Sequence, residues 1–342
     1  MPSLERFASL PAPSLRPGPL VVTRGTAVYR AAADEHHIVW ETGPVEEEDV
    51  PTSLLQRDLD SGRTTRLARN IYPAYGVAST RRWVVYAEGN GANLVAVTHD
   101  GSRRTVLSSS LVAPIAARGE LVAWAEQQRQ TQRVIVRNFA TGQEWVAAKM
   151  SRCNHGRCYQ IGAVTLAGSG VVFTRTASGP DVSFIARRAF DAPRVSAVKV
   201  PGDPQPELVP SSAGAVYFAL DRGWYRWDFG RAQPQRMSFA ANPPAQLLTH
   251  EGGRWFVLTR RGCRSGVASV EQPGRRSILT APSTVVRSAL RSTPKGICVD
   301  LGSLVSTARQ PLTAWAVAPE ESEEEHEDVG VAGVVYAAAR LP

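Results

Sequence analysis

Lysine is nearly missing from this sequence. Lys149, Lys199 and Lys295 are the only lysines, although lysine and arginine together number 39 and the net charge is +8. The positive charge is therefore arginine, scattered in ones and twos. The doublets Arg81-Arg82, Arg103-Arg104, Arg187-Arg188, Arg260-Arg261 and Arg275-Arg276 mostly fall near turns. No clustered basic helix and no aromatic-interleaved RNA signature occurs, so no nucleic-acid partner is expected. Long apolar runs are missing too. No stretch of 18 apolar residues exists, which excludes a membrane-spanning helix. A continuous 3.6-residue apolar period is also absent, which argues against helical and α/β folds. Cysteine is sparse, with four in 342 residues. A chain of that length buries a core without dense cross-linking.

Motifs of common chemistries are missing as well. There is no G-x-S-x-G, no H-E-x-x-H, no P-loop and no dinucleotide-binding loop between a strand and a helix. Asp58, Asp60 and Gly62 have the start of a calcium-loop pattern without its remainder. No cofactor and no catalytic residue is assigned. His36 and His37 stand side by side before an apolar run. Neighbouring strand residues point to opposite faces, so the pair reads as a solvated turn rather than a shared metal site.

What is present is repetition. A unit of about 40–45 residues recurs, the spacing of propeller blades. Each unit has a short apolar run after a Gly or charged turn: ADEHHIVWET, STRRWVVYAE, ARGELVAWAE, AGSGVVFTR, SAGAVYFAL, EGGRWFVLTR and TPKGICVDL (293–301). The runs are four to six residues long and rich in β-branched types, which favours buried strands. Trp40, Tyr86, Trp124, Phe173 and Phe218 mark one aromatic position, read as packing between adjacent sheets. A second element follows, as in LLQRDLDSGRTTRL and LVAVTHDGSRRTVL, where alternating strands flank a turn with Gly. Each unit is thus a four-stranded meander that must stack on its neighbours.

These units resemble the TolB-like and WD40-like β-propellers over roughly residues 20–340. The resemblance implies an all-β fold, a single β-propeller expected to have seven four-stranded blades; six or eight also fit. Residues 1–18 read as a Pro-rich N-terminal arm and 19–342 as the propeller, closed by N- and C-terminal strands. Propellers of this kind are mostly binding platforms. The expectation is a non-catalytic, extracytoplasmic scaffold, monomeric, taking an unknown protein or small ligand at one face. The alternative is a propeller enzyme, a lyase or glycosidase, with its site at the central channel mouth. The first residues hold no apolar signal-peptide core, so an extracytoplasmic location needs a leader outside this sequence. A cytoplasmic location is the other reading.

Two features stand out against the repeat. Acidic runs break the basic background, one with Glu46, Glu47, Glu48 and Asp49, the other with Glu323, Glu324, Glu325, Glu327 and Asp328. They read as self-repelling loops or as a partner surface for a basic segment. Cys153, Cys158, Cys263 and Cys298 allow two disulfides. In SRCNHGRCYQ, placed between two blades, Asn154-His155-Gly156 supplies turn residues for a local Cys153–Cys158 clip. Free thiols and a zinc site remain as alternatives there. Trp224 and Trp227, three apart, read as strand packing rather than an aromatic platform.

Overall fold

A computed structural model describes the backbone of residues 18–24, 27–34, 36–43, 52–72, 75–89, 93–154, 157–177, 182–201, 208–210, 214–220, 223–237, 246–251, 254–261, 264–271, 275–280, 299–304, 313–319 and 332–338, with side chains described only between residues 30 and 237. The described strands form seven antiparallel sheets. The first holds Ala27–Ala33, His37–Gly43, Ser53–Asp58 and Thr64–Arg69. The second holds Val77–Ser79, Trp83–Glu88, Asn93–Thr98 and Arg104–Ser108. The third holds Ala116–Arg118, Leu121–Gln128, Thr131–Asn138 and Glu144–Ser151. The fourth to sixth follow the same meander. In the last sheet, Val299–Leu304, Thr313–Pro319 and Ala332–Ala338 are completed by the N-terminal strand Gly18–Arg24, which pairs antiparallel with Ala332–Ala338.

The first strand of each sheet packs on the first strand of the next through the sixth, and Val299–Leu304 packs on Ala27–Ala33. First strands therefore line an axis and fourth strands face outward, the arrangement of a β-propeller. Within each meander, the first-to-second and third-to-fourth turns share one rim. The second-to-third connections share the other.

Second strands carry the core because both of their faces meet a neighbour. Val84, Val85, Tyr86 and Ala87 are fully or almost fully buried, as are Val122, Ala123, Trp124 and Ala125. The repeated aromatic position works as the sequence suggests. Tyr86 packs with Val39 and Leu54 of the preceding sheet. Trp124 packs with Val85, Ala87 and Ala96, Phe173 with Ala123 and Ala125, and Phe218 with Val172 and Ile185. In every pair, a large ring fills the gap to the sheet before it.

Two of the outer turns close by one local scheme. Asp58 Oδ1 accepts the N–H groups of Asp60 and Ser61, while Gly62 at φ 69° donates its N–H to the Asp58 carbonyl. Asn138 does the same for Ala140 and Thr141, with Gly142 at φ 75°. Only glycine takes such angles without cost. This explains the partial calcium pattern: Asp58, Asp60 and Gly62 build a hairpin turn.

Two expectations change. The run 293–301 was aligned with the buried second strands. The strand there is Val299–Leu304, the first of its sheet, and Thr313–Pro319 is the second. Apolar runs of similar length follow turns at both places, so a period of 40–45 residues does not distinguish them. The segment around Cys153 and Cys158 is also more than an inter-blade loop. Cys153–Asn154 pairs antiparallel with the start of Arg157–Ala167, which adds a fifth strand to the fourth sheet.

Candidate functional site

The sulfurs of Cys153 and Cys158 lie at bonding distance across that short hairpin. Cys158→Ser is expected to lower stability by about 1–2 kcal/mol, because so short a loop removes little chain entropy. Chemical denaturation with and without reductant checks this, and the variant's response to reductant should shrink by that amount. Cys263, Cys298, His155 and His326 lie outside the described residues. Trp224 and Trp227 are buried, and the Trp227 indole donates to the Arg231 carbonyl, so both serve packing.

The acidic residues Glu46, Glu47, Glu48, Asp49, Glu323, Glu324, Glu325, Glu327 and Asp328 also lie outside the described residues. The strands that flank them are described. The first run follows His37–Gly43 and the second follows Thr313–Pro319. Both are second-to-third connections, in the first and last sheets, which are neighbours. The strand ends that flank the two runs therefore share one rim.

The opposite rim holds a site that the motif search did not find. Five third-to-fourth turns begin with Leu59, His99, Phe139, Phe190 and Phe229, and each donates its N–H to the first-to-second turn of its own sheet. Three of these residues are phenylalanines reaching toward the preceding sheet. Phe139 lies 6.0 Å from Trp83, ring to ring. Phe190 stands edge-on to Trp145 at 5.5 Å. Phe229 fills the space beside Gly170, where a Cβ would come within 2.4 Å of its ring. His37, Trp83 and Gly170 are equivalent, each the first residue of a second strand. His99 thus occupies an apolar plug position and stacks on His37 at 3.8 Å, with planes 7° apart.

Asp34 joins the two rings. Its Oδ1 accepts from His37 Nδ1 at 3.1 Å and from the His36 and His37 backbone N–H groups. Its Oδ2 accepts from the Ser79 hydroxyl at 2.6 Å and lies 3.2 Å from His99 Nε2. Burial alone would raise the Asp34 carboxyl, but bonds from His37, His99, Ser79 and the His36 backbone hold it far below the usual carboxylate range. His99 has an acceptor at each nitrogen: Gln56 Oε1 at 2.5 Å from Nδ1, and the Thr80 carbonyl at 2.8 Å from Nε2. The Gln56 amide is oriented by its own bond to the His99 carbonyl. Both ring nitrogens of His99 therefore face acceptors, and Asp34 lies beside the ring. His37 is no solvated turn residue; its side chain is 14% exposed.

Among the described residues, Asp34, His37 and His99 bring ligand atoms within 4.8 Å of one another. An imidazole binds a metal close to its own plane, at about 2.0–2.1 Å. Parallel planes stacked at 3.8 Å cannot both contain one ion. The trio as placed is an ion-paired stack rather than a chelate.

A second polar group lies in the same inter-sheet junction. Glu41 is fully buried, and neither carboxyl oxygen has a hydrogen-bond partner. The equivalent residues in the next sheets are Ala87, Ala125 and Thr174. Burial pushes the Glu41 carboxyl well above the ordinary value, which the charge of Arg30 only partly offsets.

No family model matches the chain, and no curated protein matches it. Solved structures do. The propeller domain of the trilobed protease from Pyrococcus furiosus aligns with TM-score 0.55 and 6% identity over 91% of this chain and 93% of its own. The polysaccharide lyase Uly1 aligns with TM-score 0.52 and 9% identity over 92% and 90%. A prolyl endopeptidase aligns with TM-score 0.57 and 11% identity over 86% of this chain, which spans only 45% of the endopeptidase. These likenesses establish the β-propeller fold.

Proposed function

We propose that this protein is an extracytoplasmic propeller scaffold that binds a basic segment of a protein partner at the rim flanked by the acidic runs. The observation that carries the reading is where the flanking strands lie: the runs fall in sequence between the second and third strands of two neighbouring sheets, and the flanking strand ends share one rim. Loops on a rigid scaffold are the usual carriers of recognition. In a chain of net charge +8, two acidic runs carry local charge opposite to its own average. The Cys153–Cys158 pair supports an oxidising compartment.

The test replaces Glu46, Glu47, Glu48, Asp49, Glu323, Glu324, Glu325, Glu327 and Asp328 by their amides. Binding of a fluorescent Arg- and Lys-rich peptide is then read by anisotropy at two salt concentrations. The wild type should bind at least about tenfold more tightly at low salt and lose that advantage at high salt. Equal affinity of the two proteins would sink the proposal.

A second reading is a propeller enzyme with a site at the channel mouth. Arg30, exposed on an axis-lining strand, favours it.

A further inference from the structure

We propose that Asp34, His37 and His99 form a proton-controlled lock between the first and second sheets, closed while one imidazole of the stack is charged and opened when both are. The lock joins two sheets through side chains alone. Asp34, His37 and Gln56 come from the first sheet and its turns, and His99, Ser79 and Thr80 from the second. Elsewhere in the ring the same place is filled by Trp83 with Phe139, or by Phe229 beside Gly170, which carry no charge at any pH. Only the first junction uses groups that take up protons, among the junctions whose side chains are described.

The protons can be counted. Each nitrogen of His99 faces an acceptor, so the closed lock assigns it two. His37 donates Nδ1–H to Asp34, and among the described residues its Nε2 has no acceptor within bonding distance. One cation, one carboxylate and one neutral ring therefore balance. A further proton has one place to go, His37 Nε2. That step sets two imidazolium rings face to face at 3.8 Å, with 9% and 14% of their side chains exposed. Asp34 supplies one negative charge for both.

Other charged groups surround the stack. Asp58 Oδ2 lies 3.9 Å from His37 Nε2 and is 38% exposed, so water screens much of its pull. Asp60 is engaged by His36 at 3.1 Å, and both are solvent-exposed. In the second sheet, Asp100 Oδ1 accepts from Thr98 and Ser102 within its own turn. Arg82 meets His99 through its carbonyl, and Glu120 is held by the Arg81 N–H. The repulsion is between buried rings, whereas the compensating carboxylate is wet, so the second proton opens the junction.

Amide hydrogen exchange on the full chain tests this. The reporter is the His99 N–H, bonded to the Arg82 carbonyl, and the control is the Phe139 N–H, bonded to the Glu120 carbonyl. Between about pH 7.5 and about pH 5, the protection factor at His99 should fall about tenfold relative to Phe139. His37→Asn keeps a donor for Asp34 but takes up no proton, and should remove the difference. A variant copying the next junction, His37→Trp with His99→Phe, should also be insensitive to pH. Parallel behaviour of His99 and Phe139 in the wild type, or a response that survives His37→Asn, overturns the lock. So does tight Zn2+ binding by calorimetry that His37→Asn abolishes, because it would assign these residues to a metal.

Discussion

Trp124→Ala is expected to cost about 3–5 kcal/mol, the range for emptying a buried aromatic position. The indole has no solvent exposure and packs with Val85, Ala87, Leu94 and Ala96 of the neighbouring sheet as well as Ile135 and Phe139 of its own. Its removal would open a cavity between two sheets, and rigid strands collapse into such a gap poorly. Trp124→Phe should cost far less. Phe173 and Phe218 fill the equivalent position in later sheets. The indole Nε1 also has no hydrogen-bond partner, so losing it forfeits no bond. Urea denaturation of both variants reads the contrast. If Trp124→Ala cost no more than Trp124→Phe, the gap-filling role of the ring would be refuted.

Glu41→Met should act in the opposite direction, raising stability at neutral pH by about 1–3 kcal/mol. This is the cost of a buried polar group left unpaired. Methionine keeps the chain length without the carboxyl. The pH dependence gives the sharper signature. The folded state holds the proton well above the ordinary glutamate value, while the unfolded chain releases it near that value. Below about pH 4 both states are protonated, and the variant gains least there. As pH rises, the unfolded wild type ionises and the folded protein does not, so wild-type stability falls and the gain from Glu41→Met grows. Asp34 behaves the other way. Its carboxyl is depressed in the fold, so its contribution is present above the ordinary aspartate value and is lost as pH falls below it. Denaturation midpoints of Glu41→Met and wild type from acidic to neutral pH check the first sign. A gain independent of pH would mean that Glu41 is not held protonated.

Much of the architecture could be read from the residues. Turns such as Asp58–Gly62 and the aromatic position of Trp40, Tyr86 and Trp124 recur at a fixed period, and local chemistry suffices to interpret them. The last unit was misaligned because an apolar strand after a turn looks the same whether it is first or second in its sheet. The His37–His99 stack was hidden for another reason. Its members are 62 positions apart, in different units, and they meet only because neighbouring sheets stack. One signal was available: His99 stands where Phe139, Phe190 and Phe229 stand in other turns, and an imidazole among phenylalanines asks for a partner. Glu41 among Ala87, Ala125 and Thr174 is a second departure of the same kind.

By itself the sequence determined the β-propeller fold, its antiparallel meanders and its turn residues, because strand period, turn angles and apolar content are properties of short segments. Only the tertiary structure decided which polar residues meet. Asp34 could have been a solvated turn acid, and His99 a surface histidine. Stacking one sheet on the next excluded water from both, and a buried carboxylate must then find donors within reach. Ser79, His37 and His99 are those donors, and no reading along a single unit would have joined them.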